Sequence, residues 1–126
     1  MEFFADVERP WTAGALQAAV RIRDLPRWCA SVQTVYGDDG SEGEIYCVWG
    51  RFRVRREAIR NGLRFTLPDC PNALQWTLTV VAPGRVRVHC TIDRHAHDPD
   101  FVDSIEAFVA DWRAGLGDGP RRPAAD

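Results

Sequence analysis

The chain contains no lysine: all sixteen of its basic side chains are arginine, so any chemistry that needs a side-chain amine, a Schiff base above all, is closed to it. Serine is scarce too. Ser31, Ser41 and Ser104 are the only three, and no GxSxG stands anywhere in the sequence, so nucleophilic hydrolysis is not expected. Cys29, Cys47, Cys70 and Cys90 lie far apart with no CxxC pair, and a domain of this size does not need disulfides, so four reduced thiols are expected. No apolar run approaches the roughly 20 residues of a membrane-spanning helix. The opening Met1-Glu2-Phe3-Phe4-Ala5-Asp6 also lacks a basic region followed by an apolar one, which leads to the expectation of a cytoplasmic protein with no membrane span. A formal net charge of −2 gives no whole-molecule attraction to phosphate backbones, so nucleic acid is disfavoured as a partner. No cofactor motif stands out, and none is expected.

What is present is one globular domain's worth of apolar sequence: 126 residues, 45% hydrophobic and 27% charged, enough for a core that folds alone. The domain is expected over residues 1–116, with a flexible tail at 117–126. Asp98-Pro99 opens an amphipathic helix whose apolar positions are Phe101, Val102, Ile105, Phe108, Val109, Trp112 and Leu116. Spacings of three and four put these on one stripe, with Asp103, Glu106, Asp111 and Arg113 opposite, so the stripe must be buried against something. The strands that precede it supply the surface. Phe3, Ala5 and Val7 alternate with charged neighbours as a first strand, ended by Pro10; Thr12 is a candidate N-cap for a short Ala-rich helix, Ala13 to Val20, and Arg23 to Trp28 reads as a second short helix. Val32 to Tyr36 is a second strand, and Gly37-Asp38-Asp39-Gly40 reverses the chain. Ile45, Cys47, Trp49, Phe52 and Val54 carry the next apolar phase, with Gly50 read either as a bulge or as part of a tight connection. Asn61-Gly62 predicts a two-residue type I′ hairpin, because that turn needs positive φ at both central positions. Leu63, Phe65 and Leu67, then Leu74, Trp76, Leu78 and Val80, and after Pro83-Gly84 the set Val86, Val88, Cys90 and Ile92, complete a sheet with one apolar and one wet face.

The order strand, two short helices, about six strands and a long C-terminal helix resembles the helix-grip fold of the START-like and polyketide cyclase/dehydrase-like superfamily (SRPBCC). The resemblance runs from about Glu2 to Leu116 and is carried by the capped helix after strand one, the segment Asp24-Leu25-Pro26-Arg27-Trp28 and the final helix. It implies an α+β helix-grip: an antiparallel sheet of about seven strands wrapped around the long helix, with a cavity between them for a small apolar molecule. The superfamily shares no catalytic residues that could be carried over, and fold does not fix activity. Three functions follow as expectations: binding or carrying a small hydrophobic molecule; a cyclase or dehydratase acting on a polyketide-like substrate; and a protein-interaction module of chaperone-activator type.

Candidate chemistry is sparse. His95-Ala96-His97-Asp98, with Asp100 and His89, has metal-ligating residue types, but Asp98, Pro99 and Asp100 are explained by helix initiation, and no metal site is expected. Arg51, Arg53, Arg55, Arg64, Arg85 and Arg87 share the outward phase of their strands and read as a solvated face, offset by Glu44 and Glu57. Arg56 continues the phase of Phe52 and Val54. Unless a bulge turns it out, its guanidinium points inward and needs a carboxylate, a carbonyl or a ligand anion. Most aromatics are core, but Trp49, Phe65, Trp76, Phe101 and Ile105 are the expected apolar lining of a ligand site, with Tyr36 and Arg56 as polar anchors. The scarcity of inward acids, histidines and phenols favours binding over catalysis.

Overall fold

The computed structural model describes residues 1–93 and 96–121. These form strand β1 (Glu2–Glu8), helix α1 (Ala13–Ala19), a 3₁₀ turn (Ile22–Asp24), helix α2 (Leu25–Trp28), strands β2 (Val32–Asp38), β3 (Glu42–Cys47), β4 (Gly50–Ile59), β5 (Gly62–Thr66), β6 (Gln75–Ala82) and β7 (Arg85–Thr91), and helix α3 (Pro99–Asp118). The strands make one antiparallel sheet in the order β1-β7-β6-β5-β4-β3-β2. From β2 to β7 it is a meander of chain neighbours; β1 closes on the far side of β7.

Period-two alternation decides which face is dry. In β7, Val86, Val88 and Cys90 are buried while Arg85 is exposed and Arg87 and His89 are half-buried on the outer side. Four of the six outward arginines are paired across strands: Arg51 with Glu44, Arg55 with Glu42 at 3.1 Å, Arg87 with Asp6 at 2.8 Å and Arg85 with Glu8 at 3.5 Å. The wet face thus carries a ladder of cross-strand ion pairs. On the dry side α3 packs over β1 and β7, α1 over β5 and β6, and α2 against α3. Asp98 caps α3, its carboxylate accepting from the Asp100 N–H at 2.8 Å, with Pro99 in the first turn. Thr12 caps α1 in the same way, accepting from Ala15 N–H at 3.0 Å. The buried stripe of α3 is Ile105, Phe108, Val109, Trp112 and Leu116, and burying each such side chain is worth about 1.5–3 kcal/mol.

Four local details differ from, or decide between, the sequence expectations. Val48 and Trp49 form a tight turn and Gly50, at φ 115°, opens β4, so the glycine belongs to a connection and not to a bulge. The β4–β5 turn is centred on Arg60 and Asn61, one residue earlier than Asn61-Gly62, and neither Asn61 nor Gly62 has positive φ. Gly62 is required for another reason: a Cβ there would sit 1.8 Å from the Leu78 carbonyl oxygen on β6. Helix α3 runs past Leu116 to Asp118, and Arg121 and Arg27 exchange two hydrogen bonds, Arg121 N–H to Arg27 O at 2.6 Å and Arg27 Nε to Arg121 O at 3.0 Å. Of the expected tail, residues 122–126 lie outside the described residues.

Candidate ligand site between the long helix and the sheet

The interior between α3 and the sheet is a continuous aromatic cluster. Trp49, in the β3–β4 turn, meets Phe108 of α3 at 5.0 Å between ring centroids and Phe101 at 6.2 Å. Phe108 stands edge-on to Trp76 of β6 at 4.9 Å, and Trp76 stacks on Phe65 of β5 at 5.2 Å. Trp112 closes the set, 6.1 Å from Phe65 and 6.2 Å from Trp76. Strand pairing places Phe65 opposite Trp76 and Trp76 opposite Cys90, which is why three strands present their bulk to one helix face. Phe65, Trp76, Ile105, Phe108 and Trp112 are buried; Trp49 and Phe101, near the start of α3, are half-buried. The half-buried pair marks the accessible end of the cluster.

The hydrogen bonds of the five tryptophans divide them. Trp11 Nε1 donates to Leu116 O at 3.1 Å, Trp28 Nε1 to Ala19 O at 3.2 Å and Trp49 Nε1 to Ser104 Oγ at 2.7 Å. The Nε1 atoms of Trp76 and Trp112 are buried and have no acceptor. An unmet buried donor costs about 1–3 kcal/mol, so a core built for stability alone would favour phenylalanine at either position. Ser104, which Trp49 engages, sits in the apolar stripe three residues after Phe101 and donates in turn to Phe101 O at 2.6 Å; a polar residue inside the stripe was the available signal for it. Nothing in the sequence distinguishes a tryptophan with a partner from one without.

The residues singled out from sequence do not all meet. Trp49, Phe65, Trp76, Phe101 and Ile105 belong to this core. Tyr36 lies on the opposite, outer face, half exposed, with the Arg51 guanidinium 4.2 Å over its ring. Arg56 points inward, as the phase of Phe52 and Val54 requires, but it meets helix α1: Nε donates to Val20 O at 3.0 Å and Nη2 to Gln17 O at 2.5 Å. The bulge that would have turned it outward is absent from the regular β3–β4 and β4–β5 registers. His89 stacks on Phe4 at 4.3 Å on the outer face, and His97 bonds the Asp93 carbonyl at 2.6 Å through Nε2; His95 lies outside the described residues. Among the described residues no three His, Cys, Asp or Glu side chains are grouped to hold a metal. Burial pushes the Cys90 thiol up to about 12 and raises those of Cys29 and Cys47, which removes their thiolates from chemistry at neutral pH.

No protein-family model matches the sequence, and no curated protein matches it significantly. Solved structures do. A START superfamily protein from Mycobacterium smegmatis superposes with a TM-score of 0.58 at 10% identity, over 90% of this chain and 94% of the other. An uncharacterised protein from Bacillus thuringiensis superposes with a TM-score of 0.53, also at 10% identity, over 89% of this chain and 97% of the other. Identity this low speaks to architecture only, and the coverage of both chains is nearly complete. With its seven-stranded antiparallel sheet and 20-residue C-terminal helix, the chain has the START-like helix-grip fold.

Proposed function

We propose that the protein binds a small, largely apolar molecule carrying a hydrogen-bond acceptor, seated between α3 and the sheet. The observation that carries this reading is the pair of buried indole N–H groups, Trp76 and Trp112, left without acceptors inside one aromatic cluster. A ligand carbonyl or ether oxygen would satisfy them, while the surrounding rings supply apolar contact. Admission is at the half-buried end, where Trp49 and Phe101 flank the cluster and one hydrogen bond to Ser104 holds the β3–β4 turn against α3. Among the described residues, Ser31 is the one buried polar side chain, and its hydroxyl donates to Asp111 at 2.6 Å. That composition supports binding over a cyclase or dehydratase reaction, which needs a proton-transfer group facing the substrate. The outer face mixes cross-strand ion pairs with the exposed rings of Phe4, Tyr36 and Tyr46, a surface that does not single out the protein-interaction module.

The test is titration with a neutral solvatochromic dye that bears a carbonyl acceptor. The wild type is expected to bind it with micromolar affinity, about 8 kcal/mol, and Trp76→Phe together with Trp112→Phe to weaken binding by about 1–3 kcal/mol with the fold intact. No binding by the wild type overturns the reading; equal affinity in the double variant overturns the role of the indoles.

A further inference from the structure

A cleft of about 340 Å³ opens beside the C-terminal end of α1 and is lined by Gln17, Arg21, Arg23, Asp38, Gly40 and Arg56. It is polar where the grip is apolar. Three elements build it: the C-terminal end of α1, the 3₁₀ turn that follows, and the β2–β3 hairpin, with Arg56 of β4 as its floor. The arginines here differ from those of the outer face. Arg51, Arg53, Arg55, Arg85 and Arg87 each have a carboxylate within ion-pair distance, whereas Arg21, Arg23 and Arg56 have none among the described residues. Asp38 is the cleft's only acid, and its oxygens are engaged by main-chain donors: Oδ2 accepts from Arg23 N–H at 3.0 Å and Oδ1 from Gly40 N–H at 2.7 Å. Arg56 commits two of its five N–H groups to Val20 O and Gln17 O, which fixes the guanidinium plane and leaves three donors.

We infer that this cleft is a binding site for a phosphate monoester group, held by Arg21, Arg23 and Arg56. Charge selects the class. Three guanidinium groups less one carboxylate leave a surplus of two positive charges, which a phosphate monoester of roughly −1.5 to −2 neutralises and a single carboxylate does not. Geometry agrees, since guanidinium forks match the oxygens of a tetrahedral oxyanion and Arg56 is already oriented by its two carbonyl bonds. Burial and the like charge of Arg21 weigh against a charged Arg56 more than the Asp38 carboxylate favours it; a bound dianion adds to the favourable side. The size of the cleft, near the lower end for small-molecule sites, suits a phosphorylated fragment or a lipid headgroup.

The experiment is calorimetric titration with phenyl phosphate and with inorganic phosphate, alongside flotation with phosphatidylcholine vesicles containing phosphatidic acid. A one-to-one complex with phenyl phosphate that weakens as salt rises is expected, and Arg21→Ala with Arg23→Ala, both exposed, should weaken it at least tenfold without altering thermal unfolding. Arg53→Ala with Arg85→Ala on the outer face removes the same formal charge and should leave binding unchanged. Arg56→Lys keeps the charge but loses the oriented fork, and should fall between the two; if it fails to fold, the Arg21 and Arg23 variant still decides. Binding of vesicles but not phenyl phosphate, lost in the same variant, would support the site and assign the phosphate to a lipid headgroup. Absence of binding in every arm, or equal loss in the outer-face control, would overturn it. The neutral dye reports on the aromatic grip separately, so either site can fail without the other.

Discussion

Replacing Trp112 by phenylalanine separates a tryptophan kept for packing from one kept for its N–H. The side chain is fully buried, with its ring against Phe65, Trp76 and Phe108. Trimming indole to phenyl removes apolar bulk equivalent to roughly two methylenes, a loss of about 1.6 kcal/mol at about 0.8 kcal/mol each. Against this, the variant deletes a buried donor with no acceptor, which relieves about 1–3 kcal/mol. The net effect lies between a loss of about 0.6 and a gain of about 1.4 kcal/mol, so Trp112→Phe should unfold within about 1.5 kcal/mol of the wild type in equilibrium urea denaturation followed by far-ultraviolet circular dichroism. Had the N–H been satisfied, the lost hydrogen bond of about 1 kcal/mol would add to the packing loss and the total would exceed about 2.5 kcal/mol. A loss of that size would refute the claim that this donor is unmet in the unliganded protein.

Phe108→Ala, at the centre of the same cluster, should cost about 3–5 kcal/mol in the same assay; less than about 1 kcal/mol would mean that α3 does not lie over the sheet. Gly115→Ala reverses the ordinary helix rule: propensity alone favours alanine by about 1 kcal/mol, but the new Cβ would lie 1.8 Å from the Trp28 carbonyl oxygen, so a net loss of stability is expected and a raised midpoint would contradict the α2–α3 contact. The Arg87 hydrogen bond beside Asp6 holds that carboxyl below its usual range; a lowered folded-state value contributes stability above the unfolded value and loses it as pH falls through the folded one. Asp6→Asn should therefore be slightly less stable than wild type at neutral pH, the gap should start to close only below roughly pH 4 and vanish below the lowered folded-state value, and a gap that persists in stronger acid would dissociate the effect from this ion pair.

The parts of the fold governed by local periodicity were legible in the sequence. Alternation in Val86, Val88 and Cys90, the stripe from Ile105 to Leu116, and the caps at Thr12 and Asp98 all depend on residues a few positions apart, and the structure realises them. What was not legible depends on distant backbone. Gly62 reads as a turn residue but is fixed by Leu78 of the next strand, and Gly115 reads as a helix blemish but is fixed by Trp28. Arg56 could be phased inward from its neighbours, yet its partners at Gln17 and Val20 lie 39 and 36 residues away. The aromatic half of the candidate site followed from the same phases. Tyr36 did not join it, because the β2–β3 register shifts once between Val32 and Thr34 and again at Tyr36 itself, and its ring lies on the outer face.

The pairing of β1 with β7 has a kinetic meaning. Every other strand joins its chain neighbour through a short connection, whereas β1 must find a partner at the end of the meander; the hydrogen bond from the Met1 ammonium to Ile92 O spans 91 positions. Closing so large a loop is entropically costly before any contact rewards it. The β2–β7 meander is therefore the natural place for structure to start, and β1 the strand to dock late. Until it does, the β7 edge stands unpaired beside Val86, Val88 and Cys90, so the final docking of one seven-residue strand ends the interval in which this chain is most exposed to edge-to-edge association.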